Sequence, residues 1–423
     1  MKIIRTYGRG ASVATQLIAQ LERRGGAALD AVLPAVKRIV GDVRKRGDRA
    51  LFKYAAQFDG MNEPETLRVF PEEMRAAWES TSASMRDALT TAAEQIRAFA
   101  VNQLPASWSE ETILGLTTGQ LVRPISSVGC YVPSGRHPLP STLLMTAIPA
   151  QVAGVERIAV VSPRPALETL AAAHLLGITE FYRLGGAHAV AALAYGTDSI
   201  QRIEKIVGPG SLYVTAAKRL VAFDCAIDML AGPTEIVVTS ERGNAREIAA
   251  DLVAQAEHDP DALAIFITTN RELVRQVAKE AGLQSRKNPI AREALNRNGL
   301  IVIAATLGEA HAITNRVAPE HLTVDTPRDL DWVVNAGSVF IGRWSAQPMG
   351  DYISGPNHTL PTGGMARVRG GLSVNDFVKL ITVQQYSAQA LRALGSKAVR
   401  LAEAEGLTGH AEAIRIRLRG RAL

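Results

Sequence analysis

The sequence predicts an α/β protein of two doubly wound, Rossmann-like domains with helical appendages at both ends. Three observations predict it. From Leu121 onward, short apolar runs alternate with helical patterns, as a series of βαβ units requires. The alternation comes in two runs of similar length, one ending near Leu230 and one running from Glu235 to Ile341. Finally, 423 residues are more than one hydrophobic core usually serves, so two or more domains are expected.

In chain order, Ser12 reads as the cap of a first helix that runs to about Arg24. Residues 28–58 and 71–102 read as long amphipathic helices, the first interrupted near Gly41 and Gly47. Strands follow at 121–132, 157–162, 180–184, 205–207 and 226–230, with a helix at 141–152 and others between. The second run places strands at 235–239, 263–269, 300–304, 321–324 and 338–341. From Leu372 no βα unit remains, and 387–405 and 408–419 read as helices broken at Gly406 and Gly409. The expected division is a helical arm (1–25), a first α/β domain (26–127 with 235–371), a second (128–234) and a helical tail (372–423). Ligands of such sheets lie beyond the carboxyl ends of the strands, so a cleft between the domains is the expected site.

Composition narrows the class. The hydrophobic fraction of 47% and charged fraction of 21% are those of an ordinary globular protein. No apolar run approaches the ~20 residues that cross a bilayer, and Met1 to Thr6 lacks a secretory apolar region. Cys130 and Cys225 are too few for a disulfide framework and fit a reducing, cytoplasmic location. The net charge of +6 comes without a dense basic block, and aromatic content is only 5%, so neither nucleic acid nor membrane is an expected partner. A mild excess of positive charge suits an anionic cofactor.

The chemistry gathers in few places. Gln255-Ala256-Glu257-His258 ends a helix that Asp259-Pro260 stops. Gln255 and His258 stand three apart and project from one face of the last turn. An amide oxygen beside an imidazole can hold a divalent metal, and His258 can equally cap the helix terminus. Glu320-His321 begins a strand, where neighbours point to opposite faces unless the backbone departs from a strand. Asp351 and His358 sit in a glycine-rich loop after a strand, and Glu405 and His410 flank a helix break. Gly185-Gly186 and Gly208-Pro209-Gly210 each precede a helix, where backbone N–H groups can approach a phosphate. The third glycine of a dinucleotide fingerprint is missing, since Tyr213 takes its place. No His-Glu-x-x-His helix supports a zinc hydrolase. Cys130 reads as a small buried residue rather than a covalent nucleophile.

Together these residues resemble the histidinol dehydrogenase family, over roughly Ala28 to Arg419. The likeness rests on Gln255-Ala256-Glu257-His258, Ala318-Pro319-Glu320-His321-Leu322, Gly350-Asp351-Tyr352, Asn357-His358-Thr359-Leu360-Pro361-Thr362, Gly371-Leu372-Ser373-Val374 and Ala404-Glu405-Gly406-Leu407. The resemblance implies a homodimer that oxidises L-histidinol through L-histidinaldehyde to L-histidine with one zinc ion per subunit and two NAD. It implies Gln255, His258, Asp351 and His410 as zinc ligands and Glu320 and His321 as catalytic bases. It implies Thr234, His358 and Glu405 as substrate contacts beside the zinc ligands and His321. Tyr131, His188 and Ser211 fall where the family contacts NAD. The resemblance further implies that the tail carrying Glu405 and His410 completes the partner's site.

The implied chemistry fits the residue types. A neutral imidazole at His321 suits removal of a hydroxyl proton, and Glu320 suits activation of the water that hydrates the aldehyde. Some positions depart from the family pattern. Ser134-Gly135-Arg136-His137 stands where a glycine pair and a small residue are usual, His188 where glutamine is usual, Ser211 where asparagine is usual, and Thr234 where serine is usual. The first three bear on the cofactor. The alternative is a related zinc- and NAD-dependent dehydrogenase acting on another polyol, such as a sulfonated diol. Retention of His358 and Glu405 favours histidinol.

Overall fold

The computed structural model describes residues 1–25, 29–61, 63–134 and 138–420. Gly135, Arg136 and His137, where the sequence departs from the family pattern, lie outside them. The α/β fold has two six-stranded sheets of like topology. In the first, Ser127–Tyr131 is central. Arg157–Val161 and then Glu180–Tyr182 lie on one side, Lys205–Val207 and then Ala226–Ile227 on the other. In the second, Glu235–Thr239 is central, flanked by Leu263–Thr268 and Leu300–Ile303 on one side and His321–Val324 and Ser338–Ile341 on the other. All these neighbours are parallel. In each sheet the chain switches direction beside the central strand.

Both central strands are buried along their whole length, as strands covered by helices on both faces must be. Local signals set the helix starts. Asn244, Asn270, Asn288 and Thr306 each accept main-chain N–H bonds at the head of the helix that follows. The cap at Asn244 fixes the start of the helix Ala245–Ala256, and so where its last turn delivers Gln255 and His258.

The structure revises several expectations. The arm at 1–25 is not all helix: Lys2–Arg5 is an edge strand of the second sheet, paired with Leu300–Ile303. The helix behind it is Ala11–Glu22, with Gly10 rather than Ser12 at its cap. The run at 121–132 is two strands in different sheets, Leu116–Pro124 and Ser127–Tyr131, because Pro124 has no N–H to continue a ladder. The helices before it belong with the first sheet, not the second. Leu29–Arg46 and Asp48–Phe58 share a core with Gly186–Tyr195 and Leu212–Val221. Pro71–Ser80 and Ala83–Val101 pack against Leu167–Leu175 and Pro140–Ala153, and Arg68–Val69 is an antiparallel edge strand there. An amphipathic helix states that it has an apolar face, not which sheet that face covers. The tail also holds a strand, Val378–Tyr386, paired over nine residues with Leu116–Pro124. Its helices Ala388–Ala404 and Thr408–Arg419 fall where the sequence placed them.

One buried ion pair shapes the switch point of the first sheet. Lys218 Nζ donates to Asp228 Oδ1 and to the Gly208 carbonyl, each at 2.6 Å, while Asp228 accepts the Gly208 and Met229 N–H groups at 2.7 and 2.6 Å. Gly208 has φ +111°, and a Cβ there would lie 2.2 Å from the Tyr131 carbonyl oxygen, so only glycine fits. Lys218→Met leaves a buried carboxylate without its cation, and should cost about 3–5 kcal/mol in denaturant unfolding. A loss below about 1 kcal/mol would contradict the structural weight given to this pair.

Candidate active site

The residues expected to carry chemistry converge at the amino end of the second sheet. Glu320 is the last residue before the strand His321–Val324, which pairs with Glu235–Thr239 with His321 opposite Ile236. Because Glu320 lies outside the strand, its carboxylate turns back to the same site as His321. Glu320 Oε2 accepts the Thr234 hydroxyl at 2.6 Å and the Glu235 N–H at 2.8 Å. His321 Nδ1 lies 3.1 Å from the Glu235 carbonyl oxygen. A carbonyl only accepts, so Nδ1 carries a proton and Nε2 is the nitrogen left for chemistry. That Nε2 lies 3.6 Å from Asp351 Oδ1, and Nδ1 lies 3.6 Å from Glu320 Oε2. Gly337 packs over Glu320, since a Cβ there would lie 2.6 Å from its carbonyl oxygen.

Gln255 enters from the last turn of the helix Ala245–Ala256. Its amide nitrogen donates to the Thr234 hydroxyl. Its Oε1 is buried and has no hydrogen-bond partner. A buried amide oxygen without a donor is costly, and a cation would satisfy it. Asp351 comes from the short helix Pro348–Tyr352, with His358 behind it. His358 Nδ1 donates to the Asp351 carbonyl at 2.8 Å, so its Nε2 is the acceptor facing the Thr142 hydroxyl at 3.3 Å. A cavity of about 380 Å³ opens beside His321, Phe340 and His358.

The electrostatics follow from this crowding. Burial opposes a charge on His321, but Glu320 and Asp351 outweigh it and raise the imidazole to about 10. The near-neutral value that would hold for an unperturbed imidazole is thus displaced upward by its two carboxylate neighbours. Burial opposes the charge of Asp351 too, yet His321, His358 and His258 hold its carboxyl below the usual range. Burial lowers the His358 imidazole despite Asp351 beside it. Cys130 is fully buried in its strand and burial pushes its thiol up to about 12, so it offers no thiolate.

Placement of the other expected residues is mixed. His258 is exposed at the helix end, close enough to Asp351 for its charge to act there. Glu405 and His410 are exposed on the tail, and no hydrogen bond or ion pair joins them to this site within the chain. Among the described residues, no three His, Cys, Asp or Glu side chains form a metal-ligand group. Tyr131 ends the central strand of the first sheet, and its buried hydroxyl accepts the Gly186 N–H at 3.0 Å. His188 is fully buried. Its Nε2 is 2.8 Å from Asp59, and its Nδ1 has no partner. Ser211 stands exposed at the head of the helix Leu212–Val221, its hydroxyl not used in capping.

The expectation of a carboxyl-end site thus describes where the Tyr131, His188 and Ser211 group lies in the first sheet, but not the second. A larger cavity, about 520 Å³, does lie at the carboxyl end of the second sheet, beside Val238 and Val324. There Asp325 already takes the Ser240 hydroxyl at 2.5 Å and the Glu241 N–H at 2.8 Å, so the donors of that switch point are engaged from within.

Two residues at the site went unread in the sequence. Glu235 opens an otherwise apolar strand and is almost wholly buried. Its burial raises its carboxyl, Arg24 pulls it back down, and Glu320 adds to the rise. Arg24 grips it through two bonds of 2.6 Å. A charge at the first position of a buried strand was the available signal for Glu235; nothing local marked Arg24.

The histidinol dehydrogenase family model matches residues 22–418. The histidinol dehydrogenase of Methanothermobacter thermautotrophicus is 45% identical over 95% of this chain and 97% of its own. That of Clostridium acetobutylicum is 42% identical over 99% of both. The crystal structure of histidinol dehydrogenase from Elizabethkingia anophelis superimposes with a TM-score of 0.92 at 34% identity, over 99% of this chain and 98% of that one. With its two doubly wound sheets and the Glu320–His321 pair set beside Gln255 and Asp351, the chain belongs to the histidinol dehydrogenase family.

Proposed function

We propose that this protein is a cytoplasmic, zinc- and NAD-dependent dehydrogenase that oxidises L-histidinol through L-histidinaldehyde to L-histidine. Family membership supports the reaction. The observation that carries the site is the partnerless, buried Gln255 Oε1 at one end of the chain Gln255, Thr234, Glu320, His321, Asp351. Gln255, His258 and Asp351 would hold zinc, with His410 of a second subunit as the fourth ligand. Two oxygen and two imidazole donors suit zinc and leave room for the nitrogens of the substrate. Bound zinc supplies a fixed charge that templates the amino alcohol, and bound NAD is the electron acceptor of each oxidation.

The chain's own residues then divide the proton work. His321, its Nδ1 fixed by the Glu235 carbonyl, presents Nε2 to the substrate hydroxyl. With a cation held by Asp351, that carboxylate would offer less of its charge to His321. The imidazole then falls back toward the range in which it accepts a proton. Glu320, placed beside Thr234, draws a proton from the water that adds to the aldehyde. His321 serves again for the second oxidation. His358 and, across the dimer, Glu405 would hold the substrate. Tyr131, Ser211 and the glycine turns at 185–186 and 208–210 would receive NAD at the switch point of the first sheet. With His188 tied to Asp59, its unpartnered Nδ1 is the only atom of that ring left for a further bond.

The tail supports a shared site. Val378–Tyr386 exposes Leu380, Ile381, Val383 and Tyr386, and the helices beyond it expose Leu401 and Ile416. So much apolar surface beside two expected site residues fits a homodimer in which each tail crosses to its partner.

Three outcomes test the reading. His258→Asn should lower zinc content and histidinol oxidation together, and full zinc occupancy by elemental analysis would sink the assignment. His321→Asn should damage both oxidations, while Glu320→Gln should slow histidinal turnover more than histidinol turnover. Equal loss on the two substrates in the Glu320 variant would contradict the division of labour. Glu320→Gln and His410→Asn homodimers should each be nearly inactive with histidinal. Purified mixed dimers should recover up to about half the activity of the unsubstituted enzyme, since one site collects both lesions and the other neither. Mixed dimers as inactive as their parents would place each tail at its own subunit's site.

A further inference from the structure

We infer that Arg24, acting through Glu235, is a positioning residue for the catalytic pair Glu320 and His321, an inference that rests on the function proposed above. The main chain of Glu235 is what orients both catalytic side chains. Its N–H holds the Glu320 carboxylate at 2.8 Å and its carbonyl holds His321 Nδ1 at 3.1 Å. The position of that main chain is set in turn by the Glu235 side chain, which is buried and held by protein groups.

Arg24 engages it in a two-pronged bond, Nε to Oε1 and Nη2 to Oε2, each 2.6 Å. The geometry is the fork-to-fork match of guanidinium and carboxylate, which fixes direction as well as distance. The same carboxylate accepts the Gly363 N–H at 3.0 Å, so the loop after His358 is tied to the same point. Arg24 Nη2 also lies 3.5 Å from the Ala318 carbonyl. Ala318 is the one non-glycine residue among those described with positive φ, +48°, and it immediately precedes Pro319-Glu320-His321. A side chain in the left-handed region persists only where its surroundings enforce it.

Arg24 itself is anchored. Its Nη1 donates to the Leu21 carbonyl at 2.6 Å, and the helix it ends, Ala11–Glu22, is pinned to Leu307–Val317 by Arg316 and Glu22 at 2.7 Å. One guanidinium from the first 25 residues thus joins the segments that carry Glu235, Glu320 with His321, and the loop after His358. It touches neither the cavity beside His321 nor the expected metal ligands. The N-terminal segment is part of the catalytic frame, not an appendage to it.

The test uses the intact enzyme with its zinc. Arg24→Lys keeps the charge but cannot reproduce the fork. Misplacement of a catalytic group typically costs 10- to 100-fold in rate. In Arg24→Lys, and in Glu235→Gln, kcat per bound zinc should fall by about 10-fold or more with histidinol and with histidinal. KM for histidinol and zinc content should stay within about twofold of the parent. Crystal structures of the parent and Arg24→Lys should show the His321–Glu235 or Glu320–Glu235 contact broken in the variant. A purely structural role would lower thermal stability and leave kcat per zinc intact. An unchanged kcat per zinc, or a catalytic pair that superimposes on the parent's, would overturn the inference. A parent enzyme inactive on histidinol would instead overturn the proposed function, and the crystallographic comparison would still decide the positioning role. Should one variant fail to fold, the other carries the same readouts.

Discussion

The main chain of Glu235, first residue of the strand Glu235–Thr239, is the point on which the site depends. At the amino end of a parallel strand the first N–H falls outside the ladder and must find another partner. Here the N–H is taken by the Glu320 carboxylate and the C=O by the His321 imidazole. An obligation of the backbone has become the orienting device of Glu320 and, through the same residue's carbonyl, of His321, the pair proposed to be catalytic. The arrangement explains why the site can sit at the amino end, against the usual rule for such sheets. At the carboxyl end of the same sheet the equivalent obligation is met by Asp325, whose carboxylate accepts the Glu241 N–H.

The charge balance around that peptide is as constrained as its geometry. Three buried or half-buried carboxylates, Glu235, Glu320 and Asp351, crowd one end of the sheet. Arg24 answers the first, and His321 stands between the other two, which raises it to about 10. Such an imidazole is a poor base at neutral pH, because it is already protonated. A cation held near Asp351 would draw on that charge and let the imidazole release its proton, in accord with the metal proposed above. The partnerless Gln255 oxygen supports the same conclusion from another direction. One argument concerns protonation and the other solvation, and neither depends on the family.

Much of this was legible in the sequence, and the gaps have physical causes. The strands Lys205–Val207, Glu235–Thr239, His321–Val324 and Ser338–Ile341 were read to the residue, because parallel strands covered on both faces are short, largely apolar runs between turn signals. The last turn of Ala245–Ala256 was legible from Asn244 at one end and Pro260 at the other. Lys2–Arg5 and Val378–Tyr386 were missed. Both are mostly exposed, Lys2–Arg5 with Ile4 alone buried and Val378–Tyr386 almost throughout, so neither shows the apolar run or alternation that burial imposes. Domain membership of 29–101 was misjudged, since chain order carries no record of which sheet a helix covers. Arg24 was invisible because its partner lies 211 residues away, and a single arginine near a helix end has no local pattern.

The position of Arg24 changes how the N-terminal segment is understood. In a doubly wound fold the six-stranded second sheet would be complete with five strands, and Lys2–Arg5 adds only an edge. An edge strand contributes one row of ladder bonds, which is modest beside the core of such a sheet. It also sets Gly10 and the helix Ala11–Glu22 directly behind the sheet, and Arg24 just beyond that helix reaches Glu235. Arg316 and Glu22 hold the far side of that helix against Leu307–Val317, whose own end is Ala318. Strand, helix and guanidinium therefore converge on the residues just ahead of Glu320 and on the strand beside them. Contacts made along the N-terminal segment meet at the Glu235 carboxylate, and the main chain of that residue meets both Glu320 and His321.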